Sequence, residues 1–318
     1  MPIALITGVM GQDGRWLADL LLAKGYQVHG TTRSITSRGE SFANHKEITM
    51  HELGLDQPTA INALVKNLQA DEIYHLAARS SSAQLADDPA ASAHINGLSV
   101  LYFLEAIKKF NQPCKLSFAS SSEIFAGGHA TPQSEDTPVS AINPYGIAKN
   151  FGMQWVSHYR GAHQLFACSA ILYNHESIYR GTHYVTRKIT NAAAQIYLGQ
   201  MRSVTLGDID SQRDWMHAKD AVRGLWAMLQ AKVADDYLFG SGVLHSVRDV
   251  CDIAFSHLGL DYRDYVVSQP DALRREEGVQ LKADTRKAQA MLHWQPEIGF
   301  TQMIQEMVDF DVQQYSKQ

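Results

Sequence analysis

The strongest constraint on this chain is its rhythm. Through the first half, short apolar runs rich in β-branched residues alternate with longer stretches of helical periodicity. Ile3–Thr7, Gln27–Thr31, Ile48–Leu53, Glu72–Leu76, Lys115–Ala119 and Phe166–Leu172 read as strands; Gly14–Lys24, Pro58–Asn67, Ala90–Lys109 and Pro144–Arg160 read as helices. Each crossover is long enough to join parallel strands, and repeated βαβ units of this kind predict an α/β, Rossmann-type doubly wound parallel sheet.

After Leu172 the rhythm loosens. Tyr184–Leu198 and Lys219–Gln230 read as helices, and Ser246 caps another that runs to His257. Val266–Ala283 is polar and irregular, and helices follow at Asp284–Leu292 and Thr301–Tyr315. The 318 residues leave room for one large domain and a smaller lobe at about 150 residues per domain. The expected division is a Rossmann domain of residues 1–172 with about 203–245, and a smaller α/β lobe of 173–202 with about 246–318. That lobe is expected over the carboxyl edge of the sheet, where open α/β sheets bind ligands.

Charge and composition narrow the partners. Twenty-eight basic and 33 acidic side chains leave a net charge of −5 without a long run of either sign, which argues against nucleic acid. No apolar stretch approaches the roughly 20 residues of a membrane-spanning helix, so no membrane partner is expected. Met1 to Thr7 lacks a basic leader, and Cys114, Cys168 and Cys251 form no C-x-x-C. Reduced, buried thiols in a cytoplasmic protein are the expectation. The 14 histidines form no H-E-x-x-H and no close Cys/His cluster, so no metal is expected.

Gly8-Val9-Met10-Gly11-Gln12-Asp13-Gly14 follows the first strand and opens a helix. Glycines at i, i+3 and i+6 there allow a tight turn, bring backbone N–H groups to a pyrophosphate and let helix and strand pack closely. An NAD site normally carries Asp or Glu near the end of the second strand. Val28-His29-Gly30-Thr31-Thr32-Arg33-Ser34 ends instead in hydroxyls and an arginine, which favours a 2′-phosphate and hence NADP.

Two further clusters carry chemistry. In Tyr145-Gly146-Ile147-Ala148-Lys149, residues four apart share a helix face. The lysine ammonium can lie beside the phenol and, with an oxidised nicotinamide, stabilise the phenolate, since nearby positive charge lowers a tyrosine pKa from its usual value near 10. Ser120-Ser121-Ser122-Glu123-Ile124-Phe125 follows the fifth strand, where side chains face the ligand crevice. The serines can orient a substrate hydroxyl and Glu123 can exchange protons, a function that simple hydride transfer to a carbonyl does not require.

Together these motifs resemble the GDP-mannose 4,6-dehydratase family of extended short-chain dehydrogenases/reductases over essentially the whole chain. The family's T-G-x-x-G-Q-D-G stands as Thr7 to Gly14, its S-S/T-S-E-L-Y-G as Ser120 to Ala126, and its P-Y-x-x-x-K as Pro144 to Lys149. N-H-E-S, R-G and V-T-R-K-I-T recur at Asn174–Ser177, Arg180-Gly181 and Val185–Thr190. Gly207–Trp215 and His217–Asp220 resemble G-N-x-D-S-x-R-D-W-G-H-A-K-D, and Arg274 with Glu277 resembles R-P-x-E.

The resemblance implies catalytic roles for Ser121, Glu123, Tyr145 and Lys149. It implies an NADP site of Gly8, Gly11, Gln12, Asp13, Gly14, Arg33, Leu76, Ala77, Ala78, Tyr145, Lys149, Leu172, Asn174, His175 and Arg180. It implies a GDP-sugar site of Ser80, Ser122, Asn174, Val185, Lys188, Arg213, Arg274 and Glu277, with Arg187, Lys188, Arg213 and Arg274 meeting the diphosphate. It also implies a homodimer or homotetramer. The chain departs from the family in three places. Arg79-Ser80-Ser81-Ser82 replaces Q-S-H-V, Leu53-Gly54-Leu55 replaces the G-D-L that carries an adenine-contacting carboxylate, and the loop after Arg33 lacks paired arginines. The competing readings are a GDP-4-keto-6-deoxymannose reductase, another nucleotide-sugar dehydratase or epimerase, and a non-catalytic NADP sensor on the same fold.

Overall fold

The computed structural model describes residues 1–34, 47–79, 88–269 and 279–317. Seven strands form its main sheet: β1 (Ile3–Thr7), β2 (Gln27–Thr32), β3 (Thr49–Glu52), β4 (Glu72–His75), β5 (Lys115–Ser121), β6 (Ala167–Leu172) and, beyond a long excursion, β10 (Tyr237–Phe239). The spatial order is β10-β6-β5-β4-β1-β2-β3, and every neighbouring pair is parallel. The predicted doubly wound sheet is therefore what this chain forms. β4 and β6 are buried along their full length, as strands covered on both faces must be.

Each face carries helices. On one, α1 (Gln12–Ala23) and α7 (Ala218–Gln230) bury Leu17, Leu21, Leu225 and Met228 against the sheet. On the other, α2 (Pro58–Leu68), α4 (Ser99–Lys109) and α5 (Pro144–His163) bury Ile61, Val65, Phe103, Ile107 and Val156. The strand order reverses between β1 and β4, so the loops that leave these two strands diverge and open the crevice expected at such a switch point.

The stretch predicted as one helix over Ala90–Lys109 is interrupted. A short α3 (Pro89–Ala93), capped by Asp88, runs into a π-helical turn at His94–Leu98 before α4 begins. The wider turn carries buried Asn96, whose Oδ1 accepts from Arg79 N at 2.7 Å and whose Nδ2 donates to Arg79 O at 2.9 Å. Single π-turns inside helices are frequent at functional sites, and here the Asn96 amide fixes the chain leaving β4.

Beyond β6 lie elements too short to show periodicity in sequence. β7 (Asn174–Glu176), β9 (Gln212–His217) and β11 (Leu244–Ser246) make a three-stranded sheet; β8 (Val204–Leu206) and β12 (Val266–Ser268) make a parallel pair. α6 (Val185–Tyr197), α8 (Val247–Ser256) and α10 (Phe300–Tyr315) pack Ile189, Phe255, Met303 and Met307 into a separate cluster, while α9 (Arg286–Leu292) returns beside β10. Ser246 caps α8 in a full capping box with Asp249. The segment read as irregular thus begins with a strand, and Arg274 and Glu277 lie outside the described residues, as does Ser80. All three cysteines are buried and free. Among the described residues no helix is long and apolar enough to cross a membrane.

Candidate active site

The glycine loop is shaped by two close approaches. Gly8 has φ +69°, and a Cβ there would stand 2.9 Å from Ala77 Cα, so the ends of β1 and β4 touch backbone to backbone. A Cβ on Gly14 would meet Gly8 O and Val9 Cα at 2.5 Å, so only glycine lets α1 start this close to the loop. Gly11 caps α1 with no side-chain bond to the first-turn amides, an N-terminus suited to an anion.

These residues open onto a cleft of about 750 Å³. Of the residues implied for the cofactor, Gly8, Gly11, Gln12, Asp13, Gly14, Arg33, Leu76, Ala77, Ala78 and Arg180 line it. Thr31 and Thr32 stand beside Arg33 there, and the end of β2 carries no carboxylate. Asp56 also lines the cleft. It stands two residues after the position of the family's carboxylate in the Leu53-Gly54-Leu55 frame.

At the other end, Ser121 closes β5 and its Oγ accepts from Glu123 N at 3.3 Å, starting the 3₁₀ turn Ser122–Phe125 that carries Glu123. Ser122 is buried in that turn. Asn143 and Pro144 then begin α5, placing Tyr145 in its first turn. A Cβ on Gly146 would lie 2.5 Å from Glu123 O, so the helix start rests directly on the glutamate's backbone. Asn143, which sequence reading passed over, accepts from Gly146 N at 2.9 Å and donates from Nδ2 to Glu123 Oε2 at 2.7 Å.

Tyr145 and Lys149 share a helix face, as their spacing predicts. Lys149 is 1% exposed and donates from Nζ to Ala119 O at 2.7 Å, with Nζ 5.7 Å from the Tyr145 ring centre. Burial pulls its pKa down to about 7, which weakens it as a source of positive charge. The Tyr145 pKa is pushed up instead, by burial first and then by Tyr184, Glu123 and Asp13, against a downward pull from Arg180. Tyr145 and Lys149 are brought together, as are Ser121 and Glu123.

Several residues implied for ligands prove to hold one another. His175 Nε2 lies 2.9 Å from Asp13 Oδ2 and its Nδ1 lies 2.7 Å from Tyr173 O. Both neighbours accept, so the ring satisfies them only with a proton on each nitrogen, as an imidazolium. Burial opposes that charge, yet Asp13 outweighs it and the His175 pKa is raised; the Asp13 pKa is lowered, His175 and Arg180 overcoming its burial. Gln12 donates to His175 O at 3.0 Å and accepts from Ser177 Oγ at 2.9 Å. Thus α1 is tied to β7 and the turn after it, where Asn174 is half-buried next to the buried end of β6 at Leu172.

The cations assigned to a diphosphate separate. Arg187 is buried and paired with Asp311 in the core between α6 and α10, which removes it from any ligand pocket. The motif comparison could not see this, because the partner is 124 residues away. Lys188 is exposed and donates to Thr205 O at 2.6 Å, Val185 is exposed at the start of the same helix, and Arg213 on β9 donates to Gln212 O at 2.6 Å. Arg180 lies 3.6 Å over the Tyr184 ring and 3.2 Å from Glu176, facing the cleft.

A parallel doubly wound sheet with a glycine cradle at its switch point, and a Tyr/Lys pair on the helix after β5, defines the class: an extended short-chain dehydrogenase/reductase. Its fold matches that of the UDP-glucose 4-epimerase of Thermotoga maritima with a TM-score of 0.88 at 21% identity, covering 99% of this chain and 100% of that one. Solved structures of the same fold hold NADPH or NAD. Residues 5–307 match the family model for GDP-mannose 4,6 dehydratase. The chain is 37% identical to the GDP-mannose 4,6-dehydratase of Yersinia enterocolitica over 352 residues, covering 99% of this chain and 95% of that protein. It is 36% identical to GDP-mannose 4,6 dehydratase 1 of Arabidopsis thaliana over 325 residues, covering 98% and 90%. The chain belongs to the GDP-mannose 4,6-dehydratase family.

Proposed function

We propose that this chain is a nucleotide-sugar 4,6-dehydratase converting GDP-mannose, or a close GDP-manno sugar, to its 4-keto-6-deoxy product with NADP recycled within each turnover. The observation that carries the reading is a carboxylate, Glu123, packed against the helix turn that bears Tyr145. An enzyme that only moves hydride to or from a carbonyl has no use for that second acid/base group. A nicotinamide dinucleotide held by the Gly8–Gly14 loop would supply the hydride chemistry, acceptance from carbon 4 and return to carbon 6.

The residues present do the rest. Tyr145 takes the proton of the sugar's 4-hydroxyl, with Lys149 behind it. The ketone formed acidifies carbon 5. Glu123 takes that proton and gives it to the departing 6-hydroxyl, which leaves as water, while Ser121 holds the substrate oxygens. Once carbon 6 is reduced, carbon 5 takes a proton from solvent and Tyr145 releases its own, closing the cycle. On the nucleotide-sugar side we assign Ser122, Asn174, Val185, Lys188 and Arg213, with Ser80, Arg274 and Glu277 from outside the described residues.

The dinucleotide fits the glycine cradle and the cap-free amides at the start of α1. Arg33 and the hydroxyls at the end of β2 favour the 2′-phosphate of NADP. Residues 1–172 with about 203–245 form the cofactor domain in this reading, the remainder the sugar-nucleotide lobe. Ile147 and Phe151, 55% and 42% exposed and four apart on α5, support a homodimer through an isologous contact, with a homotetramer as its doubling. A monomer mass in light scattering at micromolar concentration would overturn that part. Three buried, free thiols are consistent with a cytoplasmic location.

Incubating purified protein with GDP-mannose and no added NADPH should give the 4-keto product. Glu123→Gln should retain binding and the first oxidation, lose about 100- to 10,000-fold in turnover, and stop exchange of carbon-5 deuterium into solvent. Near-normal turnover in Glu123→Gln would count against the dehydratase and favour a reductase.

A further inference from the structure

We infer that Asn143 is a positioning residue that aims the Glu123 carboxylate at the reacting carbons, an inference that rests on the dehydratase reading above. Its amide faces two partners whose chemistry fixes which end is which. Gly146 N is a donor, so the atom 2.9 Å from it is the amide oxygen. The remaining amide nitrogen therefore points at Glu123 Oε2, 2.7 Å away, and the contact is a donor to a carboxylate. Such a bond is charge-assisted and directional.

The surrounding backbone leaves this amide little choice. Asn143 is the N-cap of α5, with extended φ and ψ, and Pro144 occupies the first helical position with its φ fixed. Gly146 lies against Glu123 O, so the helix start and the turn bearing Glu123 cannot slide past each other. Tyr145 lies between these two contact residues, and the Glu123 charge is close enough to raise its pKa. One amide thus ties the proposed carbon-5 base to the turn holding the proposed 4-hydroxyl base. The caps the helix alone requires are broader: serine or aspartate would serve as well. Only asparagine carries a donor on a second atom beyond the capping oxygen, and that atom reaches the carboxylate.

That difference separates a positioning role from a structural one. Asn143→Ser keeps an N-cap oxygen and loses the amide nitrogen that reaches Glu123, leaving only an O–H on the capping atom itself. Asn143→Asp keeps the cap and sets a carboxylate against a carboxylate. We expect both variants to melt close to the wild-type temperature. In single-turnover mixing with GDP-mannose, both should keep the wild-type rise in reduced-nicotinamide absorbance. Its decay and the carbon-5 deuterium exchange should slow about tenfold in the serine variant, the order set by a lost charge-assisted hydrogen bond, and further in the aspartate variant. Wild-type decay in both variants, or equal slowing of rise and decay, would overturn the inference. Crystal structures of wild type and Asn143→Ser decide the same point without activity: the carboxylate should leave its present orientation in the variant, and an unmoved carboxylate refutes the role. Should the wild type make no 4-keto product, the dehydratase reading fails, while the crystallographic comparison still decides whether Asn143 aims Glu123.

Discussion

Arg187 offers a sharp separation of structural from ligand-binding charge. Its guanidinium is 4% exposed and pairs with Asp311, 1% exposed. Thr190 Oγ1 donates to the same carboxylate oxygen at 2.8 Å, and Arg187 Nε reaches Arg180 O at 3.3 Å. Burial pushes the Asp311 carboxyl up even with the arginine beside it. Arg187→Met would leave that carboxylate with one hydroxyl donor, and breaking a buried pair from one side costs about 3–5 kcal/mol. With an unfolding entropy of about 2.1 cal/mol/K per residue, a chain of this length shifts about 1.5 °C per kcal/mol, so its Tm should fall about 5–8 °C. Arg187→Met/Asp311→Leu removes both charges and should recover most of that loss, as apolar replacements of buried pairs often do. Thermal unfolding by circular dichroism and KM for GDP-mannose are the two measurements. A double variant restored in Tm with KM within about twofold of wild type fits a core pair. One restored in Tm but raised tenfold or more in KM would mean that Arg187 meets the substrate, and the reasoning would be refuted.

Arg33→Ala should weaken NADP(H) binding about tenfold or more while leaving NAD(H) binding nearly unchanged, as loss of a charge-assisted phosphate contact predicts; equal losses for both cofactors in fluorescence titration would refute it. His175→Gln should destabilise the fold in a pH-dependent way. The raised histidine pKa stabilises fully below its ordinary value of 6.5 and is lost as pH rises through the folded value. The lowered Asp13 pKa stabilises above its ordinary value of 3.8 and is lost as pH falls. The Tm difference between wild type and variant should therefore peak between those two ordinary values and shrink on the alkaline side. A difference that stays constant across pH would rule out the imidazolium.

Local patterns carried the sheet and the loop, since both rest on near-neighbour rules. The spacing of Gly8, Gly11 and Gly14 foretold a close strand-to-helix approach, and Tyr145 and Lys149 landed on one face because the helix period places them there. Long-range pairings were not legible. Nothing in the neighbourhood of His175 signals that Asp13, 162 residues away, will claim its proton, or that Asp311 will withdraw Arg187 from the surface. Elements of three residues, such as β7, β8 and β10, are too short for periodicity, and they form because neighbouring strands offer an edge. The π-turn at His94–Leu98 was missed because its cause, the bond from Asn96 to the chain leaving β4, lies outside the helix.

The place of β10 in the chain has a consequence for synthesis. β6 is buried over all six residues, yet its outer edge is completed only by Tyr237–Phe239, after the chain has left the main sheet and returned. The 67 positions from Leu172 to Phe239 take on the order of ten seconds to translate at about 5–20 residues per second. Throughout that interval the nascent chain holds an apolar strand with unpaired backbone along one side, the kind of edge that recruits another chain. Once β10 is in place, Tyr173 N bonds Phe239 O and Trp294 later packs edge-on against Phe239. The vulnerable period of this protein is thus set by the order in which its strands leave the ribosome, and fragments ending before Phe239 keep that adhesive edge permanently.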